Sequence, residues 1–225
     1  MTSGSTFPRR LTKIDDLSRP DHGYLSADDE CYFLGEYTAR RGFAFSATNN
    51  LILNFKKGMD RRGRQEWPYK GRAILTAAAA LRAALNDQAR ELLTFVPVPP
   101  SKAKVDPLYD DRLVQMLHQM WPGQPTDVRE LVYQPISSNA VHEEVDRPSP
   151  AILQARYAID RRVLQPEPQI IAIVDDVITT GAHFLATKAI IRKEFPNLKI
   201  VGIFIARRVP EAVDLEDLAL SDPGV

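Results

Sequence analysis

Apolar residues recur along this chain in two rhythms, short continuous runs and stripes at helical spacing, and the two alternate. Leu51, Ile52 and Phe55 share one face of a helix that Ser46 or Thr48 would cap and Gly58 would stop. Ile74, Ala78, Leu81 and Leu85 form a second stripe through an alanine-rich stretch, and residues 92–98 follow as a short, largely buried strand. Leu113, Met116, Leu117 and Met120 repeat the helical spacing and end before Pro122 and Gly123. Beyond them the pattern predicts a strand at 131–133, a short helix at 151–157, a strand at 170–174, a helix from 181 to 194 and a last strand at 198–205. Strands that alternate with helices predict an α/β fold with a mostly parallel sheet flanked by helices, because parallel strands need crossover connections.

The flanks break this rhythm. Residues 1–45 are read as an N-terminal arm or hood, since the first thirty carry Ser, Pro, Arg and Asp without a period. Residues 46–210 form the α/β domain and 211–225 an acidic tail without Lys or Arg. The polar stretch 134–150 also lacks periodicity, which predicts a long surface loop.

Composition narrows the function classes. The chain has 225 residues, 44% of them apolar and 26% charged, with a formal net charge of +0. That balance offers no global attraction to nucleic acid or anionic membrane, so any anion site must be local. One local excess exists: Lys56, Lys57, Arg61, Arg62, Arg64, Lys70 and Arg72 face only Asp60 and Glu66 across 56–72. This basic patch is either a solvated turn or a surface for a phosphate-bearing or polynucleotide partner. The single cysteine, Cys31, can close no intrachain disulfide and build no zinc ribbon. With no apolar run near the ~20 residues that cross a bilayer and no signal-like leader, the expectation is a cytoplasmic protein without a membrane partner.

The chemistry concentrates at 170–182, where an apolar run ends in Asp175 and Asp176 and then in Val177, Ile178, Thr179, Thr180, Gly181 and Ala182. Ligands of open α/β sheets bind beyond the carboxyl ends of the strands. Free amides at the start of a helix attract phosphate, Gly181 lets the backbone approach it, and the two threonines offer hydroxyls. Two carboxylates beside that cradle would repel a phosphate, so they must face vicinal hydroxyls or a hydrated divalent metal. A ribose 5-phosphate satisfies both halves. The plainer alternative, in which the aspartates cap the helix and the threonines close a turn, explains each residue but not the whole pattern.

This segment resembles the phosphoribosyl-pyrophosphate signature of type I phosphoribosyltransferases, in which apolar residues precede two acidic ones and a Thr-Thr-Gly loop. The resemblance implies that Asp175 and Asp176 hold the ribose hydroxyls and associated magnesium, while Thr179, Thr180, Gly181 and Ala182 bind the 5-phosphate. His183 stands where the family commonly has Ser or Thr. Phe95-Val96-Pro97-Val98-Pro99-Pro100-Ser101-Lys102 is similar to the family's pyrophosphate loop, which assigns Ser101 and Lys102 to the diphosphate. Arg147 falls in what resembles the catalytic loop, together with His142, Glu143 and Glu144, and Arg207 would add charge near the diphosphate. Among branches, the texture from about 49 to 208 is most similar to the competence-protein-F type, whose cysteine ribbon this chain lacks.

The implied activity is magnesium-dependent transfer of a phosphoribosyl group from phosphoribosyl pyrophosphate to an acceptor, with Asp175, Asp176, Lys102 and Arg147 as catalytic residues. The implied alternative is a non-catalytic phosphoribosyl-pyrophosphate sensor or partner-controlled effector, for example in a bacterial defence or stress module. A third reading is an interaction or nucleic-acid-binding protein that uses the basic patch. Relatives of this kind are often homodimers or parts of larger complexes.

Overall fold

Four parallel strands form the backbone of the protein, whose computed structural model describes residues 6–138 and 148–210. They are β2 (Cys31–Thr38), β3 (Leu93–Pro97), β6 (Ile170–Ile178) and β7 (Lys199–Val209); the short β1 (Thr12–Lys13) pairs antiparallel with β2, giving the order β1-β2-β7-β6-β3. Between them run α1 (Ala47–Phe55), α2 (Pro68–Ala84), α3 (Asp87–Leu92), α4 (Arg112–Gln119), α5 (Pro150–Arg156) and α6 (Ala182–Arg192). The expected α/β architecture, a mostly parallel sheet flanked by helices, is present.

Side chains cap some of the helix starts, while α2, α4 and α6 begin without such a cap. The Ser46 hydroxyl accepts the Asn49 amide at the start of α1, and Ser149 does the same for Ile152 at α5. On one face of the sheet, Ile52, Phe55, Leu81, Met116 and Leu117 from α1, α2 and α4 pack against Ala172, Val174, Ile203 and Ile205. On the other, Leu153 of α5 and Phe184, Ile190 and Ile191 of α6 pack against Phe33, Ile171, Ile173 and Phe204. Covering both faces explains why β6 and β7 read as continuous apolar runs rather than alternations.

Three expectations are corrected. The segment 1–45, expected to be an arm, contributes β2 to the sheet, with Cys31, Phe33 and Leu34 buried. Its polar first half masks a strand whose partners lie at the far end of the chain. The strand expected at 131–133 is β4 (Val132–Tyr133), but it pairs antiparallel with β5 (Ala158–Ile159) in a separate two-stranded sheet. Finally, β6 does not stop at Val174 but runs through both aspartates to Ile178, because ionic partners at the ends of α1 and α4 let a carboxylate remain in the sheet. Arg147 and the acidic tail 211–225 lie outside the described residues. No helix among the described residues is long and apolar enough to cross a membrane.

Gly202 in β7 is tightly packed on the α6 face. A Cβ there would lie 2.9 Å from the Cys31 Sγ, 2.9 Å from Phe204 and 3.0 Å from Phe184. Since a packed core relaxes only partly around an added methyl, Gly202→Ala is expected to cost about 1–3 kcal/mol, measured by urea unfolding. An unchanged midpoint would show that this face yields more readily than its packing suggests.

Candidate functional site

The carboxyl ends of the parallel strands open into a cavity of about 900 Å3. Side-chain alternation in β6 sets its floor. Ile173 faces α6 and Val174 faces α1, as a strand requires, but Asp176 and Val177 then both turn toward α1 before Ile178 returns to the α6 side. β7 slips in step, with Ile205 and Ala206 both on the α1 face. Ordinary alternation gives the two aspartates different surroundings, and the slip that follows redirects the chain beyond them.

Asp176 is only 3% exposed, and both of its oxygens are engaged. Arg112, at the start of α4, donates from Nη2 to Oδ2 at 2.6 Å and from Nε at 3.2 Å, and Lys56, just past α1, reaches Oδ1 at 3.2 Å. Arg112 also donates from Nη1 to Asp110 at 2.8 Å. Asp110 in turn accepts from Lys70 at 2.7 Å, and Lys70 donates as well to the carbonyls of Phe55 and Lys57. Burial alone would raise the Asp176 carboxyl; Lys56 and Arg112 override it and hold the group below the ordinary carboxylate range. Asp176 is therefore a permanent anion.

Asp175 behaves oppositely. Burial first, and then the adjacent Asp176 charge, push its carboxyl above the ordinary range. Its Oδ1 accepts the Asp176 amide at 2.7 Å, while its Oδ2 has no hydrogen-bond donor among the described residues. Within the acidic pair, Asp175 is thus the member able to meet an incoming hydroxyl or cation.

The expected phosphate cradle lies next along the chain. Gly181 caps α6 with φ of 86°, a left-handed conformation that glycine adopts without strain, and a Cβ there would sit 2.9 Å from Leu25. The N-terminal segment braces this turn from behind. His22, fully buried, donates from Nδ1 to the Thr179 carbonyl, and the Tyr24 amide donates to the Thr180 carbonyl at 3.0 Å. Thr179, Thr180, Ala182 and His183 line the cavity, while Gly181 lies behind them against Leu25.

His183 meets the Tyr157 hydroxyl through Nδ1 at 2.8 Å. Burial, followed by the Lys56 charge, pushes its imidazole down to about 4, and burial pushes the Tyr157 phenol up. The pair is therefore an uncharged imidazole and an intact phenol at neutral pH. With Tyr157 donating, His183 keeps its own hydrogen on Nε2.

Across the cavity lies the second loop. Ser101 and Lys102 both line it, and the Ser101 carbonyl is fixed by the Ser138 amide at 2.9 Å and the Gln134 side chain at 2.7 Å. Lys102 forms no hydrogen bond or ion pair among the described residues. Arg207 is corrected: it pairs with Glu36 and, at 2.9 Å, with Asp21, lies over the Phe33 ring at 5.3 Å, and does not line the cavity. Its neighbour Arg208 does, with a solvent-shielded Nε that has no hydrogen-bond partner among the described residues. His142, Glu143, Glu144 and Arg147 fall outside the described residues.

Sequence reasoning missed Arg112, Tyr157, His22 and Arg208, and saw Lys56 only as part of a basic patch. None belongs to a local motif; each reaches the site from a distant element. A buried carboxylate ending an apolar run did signal that a cation must be near, though not which one. Among the described residues no three His, Cys, Asp or Glu side chains cluster as a metal centre. Asp176, whose oxygens are taken by Arg112 and Lys56, does not fit as a magnesium ligand, whereas Asp175 keeps one oxygen without a donor among the described residues. Neither a family model nor a curated protein matches the chain.

Both environments are open to measurement. Arg112→Ala leaves Asp176 and Asp110 buried with a missing counter-charge and is expected to lose about 3–5 kcal/mol of stability in denaturant unfolding. His183 should titrate with an NMR midpoint of about 4. Its folded value lies below the unfolded one, so as pH falls from 6.5 toward 4 the unfolded chain takes a proton the folded chain refuses, and this residue's contribution turns destabilising. A midpoint near 6.5 would show the imidazole to be freely hydrated.

Proposed function

We propose that this protein binds phosphoribosyl pyrophosphate in the cavity at the carboxyl ends of β3, β6 and β7 and transfers its phosphoribosyl group to an acceptor, in the manner of type I phosphoribosyltransferases. The observation that carries this reading is convergence: the contiguous Asp175 and Thr179–His183 turn line one cavity with the Ser101–Lys102 loop, which is far away in sequence. Amides and hydroxyls of the turn suit a monophosphate, and the neutral His183 adds an N–H without a charge. Asp175 accepts hydrogen bonds from ribose hydroxyls on the sheet side. Ser101 and the unpaired Lys102 take the diphosphate, where the cation offsets negative charge that grows as the bond to the sugar breaks.

Magnesium, when bound, supplies further charge neutralisation on the leaving diphosphate. The protein's contribution beside it is fixed polarity. Asp176 acts indirectly, its anion anchoring Lys56 and Arg112 at the cavity floor, so that no side chain must reorganise when the sugar arrives. Arg147, outside the described residues, is proposed from the resemblance alone to be a further catalytic residue.

Calorimetry with phosphoribosyl pyrophosphate and magnesium tests the site. Saturable binding that weakens at least about tenfold in Asp175→Asn, as expected on losing a charge-assisted bond, supports the assignment. No binding at millimolar ligand overturns it. Release of pyrophosphate with a panel of nitrogenous acceptors then distinguishes transfer from sensing: binding without release with any acceptor would favour the non-catalytic sensor.

A further inference from the structure

The basic stretch after α1 does not stand alone in the folded protein. The loop between β2 and α1 brings exposed aromatic rings to it: Phe43 is 48% exposed, Phe45 52%, and Tyr69 at the start of α2 is 49%. Cations alternate with these rings. Lys57 Nζ lies 6.0 Å from the Phe43 ring and 5.3 Å from the Tyr69 ring, the Arg72 guanidinium lies 5.1 Å from the Tyr69 ring, and that of Arg41 lies 5.6 Å from Phe45.

Part of the positive charge here is committed, since Lys56 and Lys70 hold Asp176 and Asp110 and Arg61 pairs with Asp60 and Glu66. Arg40, Arg62, Arg64 and Arg72, in contrast, form no ion pair among the described residues. Large apolar rings are costly to leave in water, and the guanidinium groups of Arg62, Arg64 and Arg72 in the same stretch repel one another. A ligand that relieves both must carry regularly spaced negative charge together with flat faces.

From this we infer that the surface formed by residues 40–45 and 57–72 binds single-stranded nucleic acid. A single strand presents phosphates to the arginines and unstacked bases to Phe43, Phe45 and Tyr69. A duplex hides its base faces, and an anionic lipid surface offers charge without rings to stack. The surface borders the cavity, since Ala39 and Lys56 at its edge both line it. The inference rests on none of the phosphoribosyl chemistry and stands or falls separately.

Fluorescence anisotropy of the full chain with a labelled oligothymidylate tests it. Neutralising about four phosphates on a single strand gives a slope near −3 for log affinity against log salt, so affinity should fall about 50-fold between about 50 and about 200 mM salt. The doubly substituted Phe43→Ala, Tyr69→Ala protein should bind at least about tenfold more weakly with the salt slope retained. Arg62→Glu with Arg64→Glu, in an exposed turn, should weaken binding and flatten the slope by about 1.4. Circular dichroism confirms that both variants fold. The proposal is overturned by absence of binding at low salt, by equal affinity for a duplex of the same length, by binding to phosphatidylglycerol vesicles in place of the oligonucleotide, or by variants that bind like the parent.

Discussion

One buried anion organises the end of the sheet. Asp176 sits where β6 leaves the core, and a carboxylate at 3% exposure persists only because Arg112 and Lys56 meet it. Those two cations come from different helices, and Arg112 is tied through Asp110 to Lys70, which closes the chain of contacts on the carbonyls of Phe55 and Lys57. The ends of α1, α2 and α4 are thereby drawn to one point beside β6. A purely apolar contact there would hold the helices as firmly but would leave their relative rotation less determined, because directional bonds constrain angles that packing alone does not.

The same anion divides the acidic pair into unequal members. By claiming both cations, Asp176 leaves Asp175 beside a fixed negative charge, with burial reinforcing the effect. Adjacent residues of one strand ordinarily look to opposite faces, and the aspartates keep to that rule; the slip between Asp176 and Val177 instead redirects the residues after them. Ile178 returns to the α6 side, so the turn at Thr179–Gly181 emerges over α6 instead of over α1. The strand's loss of strict alternation therefore places the Thr179–His183 turn at the cavity.

Much of this is legible in the sequence, for reasons of range. The stripes of α1, α2 and α4 and the runs of β3, β6 and β7 are set by residues within a few positions of one another, so periodicity exposes them. The 170–182 segment is legible too, because a strand end, a turn and a helix start are contiguous. The hidden features are nonlocal. Cys31–Thr38 is short, mixed in polarity and preceded by an aperiodic stretch, and only its pairing with β7 makes it a strand. Arg112 and Arg207 look alike as isolated arginines, yet one closes the ionic floor and the other is held away from the cavity by Asp21 and Glu36. No window along the chain carries that difference.

The N-terminal segment, expected to be an appendage, instead shares in shaping the site. A glycine turn carrying two carbonyls directed away from its cavity would fray into water, since nothing in the turn itself satisfies them. His22 and Tyr24 donate to both, and Leu25 occupies the space that Gly181 leaves free. From the other side Tyr157 fixes the His183 ring. With its backbone held behind and its imidazole held in front, the turn keeps its amides and hydroxyls oriented without needing a ligand to order it. Asp21, one residue before His22, binds Arg207, so the brace is itself anchored to the end of β7. The arm, the last strand and the turn therefore form one mechanical unit, and a displacement of the arm would reach the turn both through two carbonyls and through the packing of Leu25.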